Sequence, residues 1–183
     1  MKSAAIGHLF MGYNHKFGKE QSANFNDYKS LAHKFGFGII QGEPLVVDGL
    51  HCSSSVIRKC LTRGDLATAN KLLGYNYSIN GNVVTGNRLG RTLGYPTANI
   101  DIDNSLKLIP ASGVYACNVH LEGRNYKGML NIGYRPTIGE SQEKSSVEVH
   151  IFDFNRDIYS ETITVELVKR MRDEQKFASL EAL

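Results

Sequence analysis

Apolar and polar residues alternate along this 183-residue chain with two different periods. In the first part the spacing is largely helical. Tyr28, Leu31, Ala32 and Phe35 fall on one face of an Asn24 to Phe35 segment, and Gly36 supplies the stop. Ile6 to Met11 reads as a short buried strand, and Phe37 to Gln41 as the next one. Ser53-Ser54-Ser55 offers N-cap oxygens to a helix that runs to about Arg63 and ends at Gly64. Asp65 caps a second helix through Leu73, ended by Gly74. This alternation of strand and helix predicts a parallel sheet with covering helices.

Near Tyr77 the period changes to two. Tyr115, Cys117, Val119 and Leu121 alternate with Ala116, Asn118 and His120. Glu122-Gly123-Arg124-Asn125 reads as a hairpin turn into Tyr126 to Ile132. Val147, Val149 and Ile151 alternate with Glu148, His150 and Phe152, and Ile163, Val165 and Leu167 with Thr162, Thr164 and Glu166. Regularly spaced strands with one apolar face predict a small closed barrel. Arg172 to Leu183 reads as a final helix. The expected division is therefore α/β for residues 1–76 and all-β for residues 77–183.

Between the two patterns lies Gly86-Asn87-Arg88-Leu89-Gly90-Arg91-Thr92-Leu93-Gly94-Tyr95-Pro96-Thr97-Ala98-Asn99. Glycines let backbone amides approach a ligand closely. Arginine complements phosphate charge, and Thr97 and Asn99 present neutral oxygens of the kind magnesium accepts. The segment is not a P-loop: no Gly-Lys-Ser or Gly-Lys-Thr follows, and a strand rather than a helix comes next. A plain turn between strands is the competing reading of the glycines alone.

Composition narrows the classes. Apolar residues make up 42% and charged residues 21%, as in ordinary soluble domains. Residues 1–77 carry nine Lys/Arg and five Asp/Glu, a balance of +4, and residues 78–183 carry twelve and thirteen, a balance of −1. That distribution suits a phosphate-bearing small molecule and lacks the dense basic stripe of a nucleic-acid binder. Cys52, Cys60 and Cys117 have neither CxxC nor zinc spacing, which predicts reduced thiols and a cytoplasmic setting. No apolar run is long enough to span a membrane.

The loop closely resembles the nucleotide-binding signature of riboflavin kinases. Further matches follow in order: Gly113-Val114-Tyr115, Asn131-Ile132-Gly133-Tyr134-Arg135-Pro136-Thr137, Val147-Glu148-Val149-His150-Ile151-Phe152-Asp153-Phe154, Asp157-Ile158-Tyr159 and Arg172-Asp173-Glu174-Gln175-Lys176-Phe177. The resemblance covers roughly residues 77 to 183 and implies a six-stranded antiparallel barrel with a C-terminal helix. It implies ATP and riboflavin as substrates, FMN as product and Mg²⁺ as cofactor. By the same resemblance, Glu148 is expected to act as catalytic base toward the 5′-hydroxyl of riboflavin. Gly86, Gly90, Arg91, Gly94, Pro96, Thr97 and Asn99 are expected to bind the nucleotide, with Thr97 and Asn99 also holding the metal. Arg172 is placed near the flavin. On alternation alone, Glu148 reads first as a solvated charge on a barrel exterior, a preference that the family match reverses, and His150 reads as the maker of a structural hydrogen bond. Tyr95, Tyr115 and Tyr134 are candidates to stack on flavin or adenine, or else core residues.

Residues 12–74 resemble the second part of the Rossmann-like adenylyltransferase domain of bacterial bifunctional FAD synthases. Gly12-Tyr13-Asn14-His15-Lys16-Phe17-Gly18 is similar to a Gly-x-Asp-x-x-Phe-Gly loop, with Asn14 replacing the aspartate. Ser53-Ser54-Ser55-Val56-Ile57-Arg58 is similar to a Ser-Ser-Thr-x-Ile-Arg segment. Ser53, Ser54, Ser55 and Arg58 are then a residual nucleotide site. His8 and His15 do not supply the family's His-x-Gly-His spacing. The resemblance therefore predicts loss of FMN adenylylation, and an incomplete first domain whose exposed apolar surface favours self-association. The competing expectations are a non-catalytic flavin module and a small barrel that binds nucleic acid. The negative charge of the second part argues against the latter.

Overall fold

The computed structural model describes residues 6–16, 24–86, 90, 94–102, 104, 106–135 and 144–175, without the side chains of 134, 135, 144 and 145. Its internal contacts gather into two compact units, Met1–Cys52 and Ser53–Leu183.

In the first unit, β1 (His8–Gly12) leads to α1 (Phe25–Phe35) and then to β2 (Gly38–Gly42), which pairs parallel to β1. A two-stranded hairpin of β3 (Val46–Val47) and β4 (Leu50–His51) follows. Asn24 caps α1 through a reciprocal arrangement. Its side chain accepts from the Asn26 and Asp27 amides, while the Asp27 carboxylate accepts from its own N–H at 2.8 Å. Gly36 ends the helix in the left-handed region. Among the described residues of this unit, the buried apolar side chains are Met11, Tyr28 and Ala32. The Ile6 to Met11 run thus differs from the buried strand expected. Phe10 is 74% exposed and Ile40, its register partner on β2, is 42% exposed. Apolar content predicted a strand correctly, but a two-stranded sheet has too few neighbours to cover both faces.

The second unit opens with α2 (Ser54–Arg63) and α3 (Leu66–Leu73). Ser53 and Asp65 cap them by accepting from the Val56 and Thr68 amides. Both helices pack with the barrel. Leu61, Leu66 and Ala69 share its core cluster, the Ala111 N–H donates to the Leu61 carbonyl at 3.0 Å, and Asn70 Nδ2 donates to the Leu167 carbonyl at 2.9 Å.

The barrel itself is β5 (Ser78–Val84), β6 (Ala98–Asp101), β7 (Gly113–Leu121), β8 (Arg124–Arg135), β9 (Lys144–Ile151) and β10 (Thr162–Arg172). All neighbours are antiparallel, in the closed order β10-β5-β6-β9-β8-β7. Period-two alternation drives this closure. Ile79, Val83, Tyr115, Cys117, Val119, Leu130, Val149 and Val165 all point inward and are at most 3% exposed. A closed sheet leaves no edge and needs no covering layer. Glu122 and Gly123 form the two-residue β7–β8 turn with φ of 48° and 74°, the geometry that matches strand twist. Arg172 belongs to the last residue pair of β10 rather than to a helix. Two register shifts, at Leu167/Lys169 and Arg170/Arg172, bend this strand end. Residues 173–175 of the expected final helix have no regular structure, and residues 176–183 lie outside the described residues.

Candidate active site

Strands β6 and β9 set the site. Ala98 pairs with Val149 and Asn99 with Glu148. Opposed residues of an antiparallel pair share a face, so Asn99 and Glu148 stand together. Val147, Val149 and Ile151 fill the interior, which places Glu148 on the outer face. The structure makes this exterior carboxylate half-buried and gives it neighbours. Thr97 Oγ1 donates to Glu148 Oε2 at 3.4 Å. Hydroxyl, carboxamide and carboxylate groups therefore meet on one patch.

Two glycines of the preceding loop admit this arrangement. A Cβ on Gly86 would overlap the Asn99 carboxamide, and one on Gly90 would overlap the Tyr95 carbonyl and approach Thr97 Oγ1 to 3.5 Å. The Tyr95 N–H donates to the Gly90 carbonyl at 2.8 Å, folding the loop back on itself. Gly94 occupies the left-handed region at φ 81°. His150, two residues beyond Glu148, places Nδ1 2.8 Å from the Pro96 carbonyl, so Nδ1 is the donor. Its ring makes edge contacts with Tyr95 and Phe152 at 5.7 and 5.5 Å. The loop is thus tied to β9 directly beside Glu148.

A cavity of about 230 Å³ adjoins the patch, lined among others by Pro96, Thr97, Ala98, Val149, Phe154 and Arg156. Arg156 is oriented by an ion pair with Glu122 at 2.8 Å, which raises its pKa, chiefly through that hydrogen bond.

Other expected site residues lie apart. Arg91 is outside the described residues. Arg172 sits on β10, three strands from β9 in either direction around the barrel, and donates from Nη1 to the Asp173 carbonyl at 3.2 Å. Ser53, Ser54, Ser55 and Arg58 form a separate group at the start of α2. The Ser53 hydroxyl is engaged with the Val56 N–H at 3.3 Å, and the other three are exposed. Tyr115 is a core residue, fully buried and donating to the Ala111 carbonyl. The Tyr134 side chain lies outside the described residues. Sequence reasoning passed over Phe154 and Arg156 as cavity walls, and Asn131 as the residue opposite Glu148 on β8. The signal for Asn131 was its outward phase beside Leu130 and Ile132, which acquires meaning only with the register.

The protein-family model described as riboflavin kinase (flavokinase) matches residues 73–183. The chain belongs to the riboflavin kinase family. Curated relatives agree. The bifunctional riboflavin kinase/FMN adenylyltransferase of Bacillus subtilis is 39% identical over 180 residues, covering 97% of this chain and 56% of that protein. The enzyme of the same description from Haemophilus influenzae is 39% identical over 176 residues, covering 96% and 56%. The chain thus spans a little over half the length of these relatives. A solved structure from Streptococcus pneumoniae, described as a macrolide-efflux protein, superposes with a TM-score of 0.81 at 37% identity, covering 93% of this chain and 54% of that one. Among the described residues of the present riboflavin kinase family member, no helix is long and apolar enough to cross a membrane.

Proposed function

We propose that this chain transfers the γ-phosphoryl group of ATP to the 5′-hydroxyl of riboflavin, giving FMN and ADP. The observation that carries the reading is the Thr97–Asn99–Glu148 patch, with hydroxyl, carboxamide and carboxylate gathered on one outer face. Phosphoryl transfer needs charge neutralisation, alignment and a place for the departing hydroxyl proton. The Glu148 carboxylate accepts that proton. Its partial burial and its Thr97 contact hold it in place before substrate arrives.

Thr97 Oγ1 and Asn99 Oδ1 fit a magnesium ion in kind, being hard oxygens on one side of the strand. No cluster of three or more His, Cys, Asp or Glu that could hold a metal occurs among the described residues. These two groups would therefore share the ion with substrate phosphates. When bound, it neutralises charge on the phosphates. Gly86 and Gly90 lie close to Asn99 and Thr97 and leave room for a phosphate there, with Pro96 nearby, and Arg91 is assigned to the same phosphates from the sequence. The adjoining cavity, with Pro96 on one wall and Phe154 on another, receives the adenine. The free cysteines Cys52, Cys60 and Cys117 suit a cytoplasmic enzyme.

Incubation of the chain with riboflavin and Mg-ATP, followed by chromatographic separation of the fluorescent flavins, tests the proposal. FMN is the expected product. Its absence from a folded chain that still binds flavin would favour the non-catalytic module. FAD formed after FMN would assign a working role to the Ser53-Ser54-Ser55 and Arg58 group and overturn the expected loss of adenylylation.

A further inference from the structure

The outer face does not end at Glu148. Register runs Asn99 to Glu148 to Asn131 across β6, β9 and β8, one residue per strand and all outward. Neighbouring strands are about 4.8 Å apart, so Asn131 stands one strand spacing beyond the carboxylate, on the side away from Thr97. Gly133 is two residues further along β8 on the same face and is buried. What covers it is polar. A Cβ on Gly133 would overlap the Glu174 carboxylate and lie 3.4 Å from Asn131 Nδ2. Asn131 and Glu174 therefore converge on one point.

The chain is bent to bring Glu174 there. After the register shifts at the end of β10, Arg170 Nη2 donates to the Ser112 carbonyl and to Asp173 Oδ1, both at 2.6 Å. The Asp173 hydrogen bond is the main reason the Arg170 pKa is raised. This guanidinium ties the segment after β10 to the segment before β7. Val114 on the intervening strand faces outward by register yet is 6% exposed. The returning segment crosses β7 and sets Glu174 over β8.

We infer that Asn131 and Glu174 form a subsite that reads the hydroxyl groups of the substrate's polyol chain, with Gly133 left bare to seat the carboxylate. The inference rests on the riboflavin kinase reading. The ribityl chain continues from the reacting hydroxyl away from the phosphates, and the outer face continues from Glu148 in that direction. A carboxylate accepts hydrogen bonds from hydroxyl groups, and a carboxamide both donates and accepts. The pair therefore matches a run of neighbouring alcohols and offers nothing to a hydrocarbon chain. An unmatched acceptor left facing an apolar chain makes the site reject it.

The test compares riboflavin with a flavin bearing a 5-hydroxypentyl chain, which keeps the terminal alcohol and lacks the three others. Equilibrium binding is read by flavin fluorescence and turnover by FMN-type product. The wild-type chain is expected to prefer riboflavin by about ten-fold or more in binding and in kcat/KM. Glu174→Leu and Asn131→Leu, which remove the polar atoms, should each erase most of that preference while leaving KM for Mg-ATP unchanged. Gly133→Ala, which displaces Glu174 without removing it, should do the same. Equal binding of the two flavins by the wild-type chain overturns the inference, as does an unchanged preference in folded Glu174→Leu and Gly133→Ala. A chain that discriminates between the flavins in binding yet makes no FMN sustains the subsite and overturns the kinase reading.

Discussion

Phe10 and Val119 both sit mid-strand in apolar runs, yet Phe10 is 74% exposed and Val119 is wholly buried. The difference lies in what surrounds each strand. Among the described residues β1 pairs with one parallel strand, and α1 supplies the other elements of its small core. β7 is paired on both edges inside a closed sheet. Parallel strands normally need cover on both faces, whereas a barrel covers its own inner face by closing. Both units use the same local devices, with side-chain caps at helix starts and left-handed glycines at helix ends. Local rules form the elements in each, and only closure turns them into a dense core with an ordered outer face on which Glu148, Asn99 and Thr97 are fixed.

The sharpest way to break this comparison is to separate chemistry from scaffold. Glu148→Gln should lower turnover about 10²–10⁴-fold, the usual worth of general-base assistance, while flavin binding changes little. Thr97→Ala and Asn99→Ala should each raise KM for Mg-ATP. Phe10→Ser, in the other unit, should leave the rate of FMN formation unchanged. A normal rate in Glu148→Gln removes the base assignment, and lost activity in Phe10→Ser would tie catalysis to the first unit.

A second test compares the cores by stability. Leu130→Ala deletes a fully buried side chain on β8 and should cost about 2–5 kcal/mol in chemical denaturation. Phe10→Ala should fall within about 0.5 kcal/mol, as expected for an exposed position. Equal costs would mean that the first unit contributes a core of its own.

Cys117 allows a pH test confined to the barrel. Burial pushes its thiol from 9.0 up to about 12. The folded state therefore holds a proton that the unfolded chain releases first. The stabilisation is fully present below about pH 9 and is lost progressively between there and pH 12. A three-unit separation implies a loss of about 2 kcal/mol midway through that window, near pH 10.5. Cys117→Ala should flatten this part of the alkaline stability curve. Native Cys117 should also resist thiol reagents at pH 8, where Cys52 and Cys60, both partly exposed, react first.

Much of this was legible in the residues, for identifiable reasons. Asn24, Ser53 and Asp65 cap the three expected helices, because capping is a local interaction that spans three residues. The barrel was legible because inward residues recur every second position on each long strand. The pairing order was not: alternation states which way Glu148 faces, but not that β9 lies between β6 and β8. Only that order joins Asn99 to Glu148 and makes Asn131 their neighbour. The resemblance put Gly86 and Gly90 in the nucleotide loop, but their closeness to Asn99 and Thr97 depends on how the loop returns. Arg172 read as helical because its neighbours are good helix formers, but pairing with Val114 extended β10 instead. The packing of α2 and α3 against the barrel was equally invisible, since Leu61 and Ala69 carry no mark of their partner.

The smallest expected effect concerns the face that closure does not cover. Phe10 and Ile40 lie opposite each other on the two-stranded sheet, with Leu45, Val46 and Leu50 also exposed in the same unit. Exposed apolar side chains paired across a sheet favour association. Self-association of the chain through this unit is the expected result, seen as a concentration-dependent rise in sedimentation coefficient. Phe10→Ser combined with Ile40→Thr should shift the curve toward monomer at equal concentration and leave FMN formation per chain intact. Burying one Phe or Ile side chain is worth about 1.5–3 kcal/mol at most, and partial cover at a contact yields less, so the shift should be several-fold in dissociation constant. If the double variant sediments like the wild type, the association, where present, belongs to the barrel unit, and the open sheet is not the adhesive face.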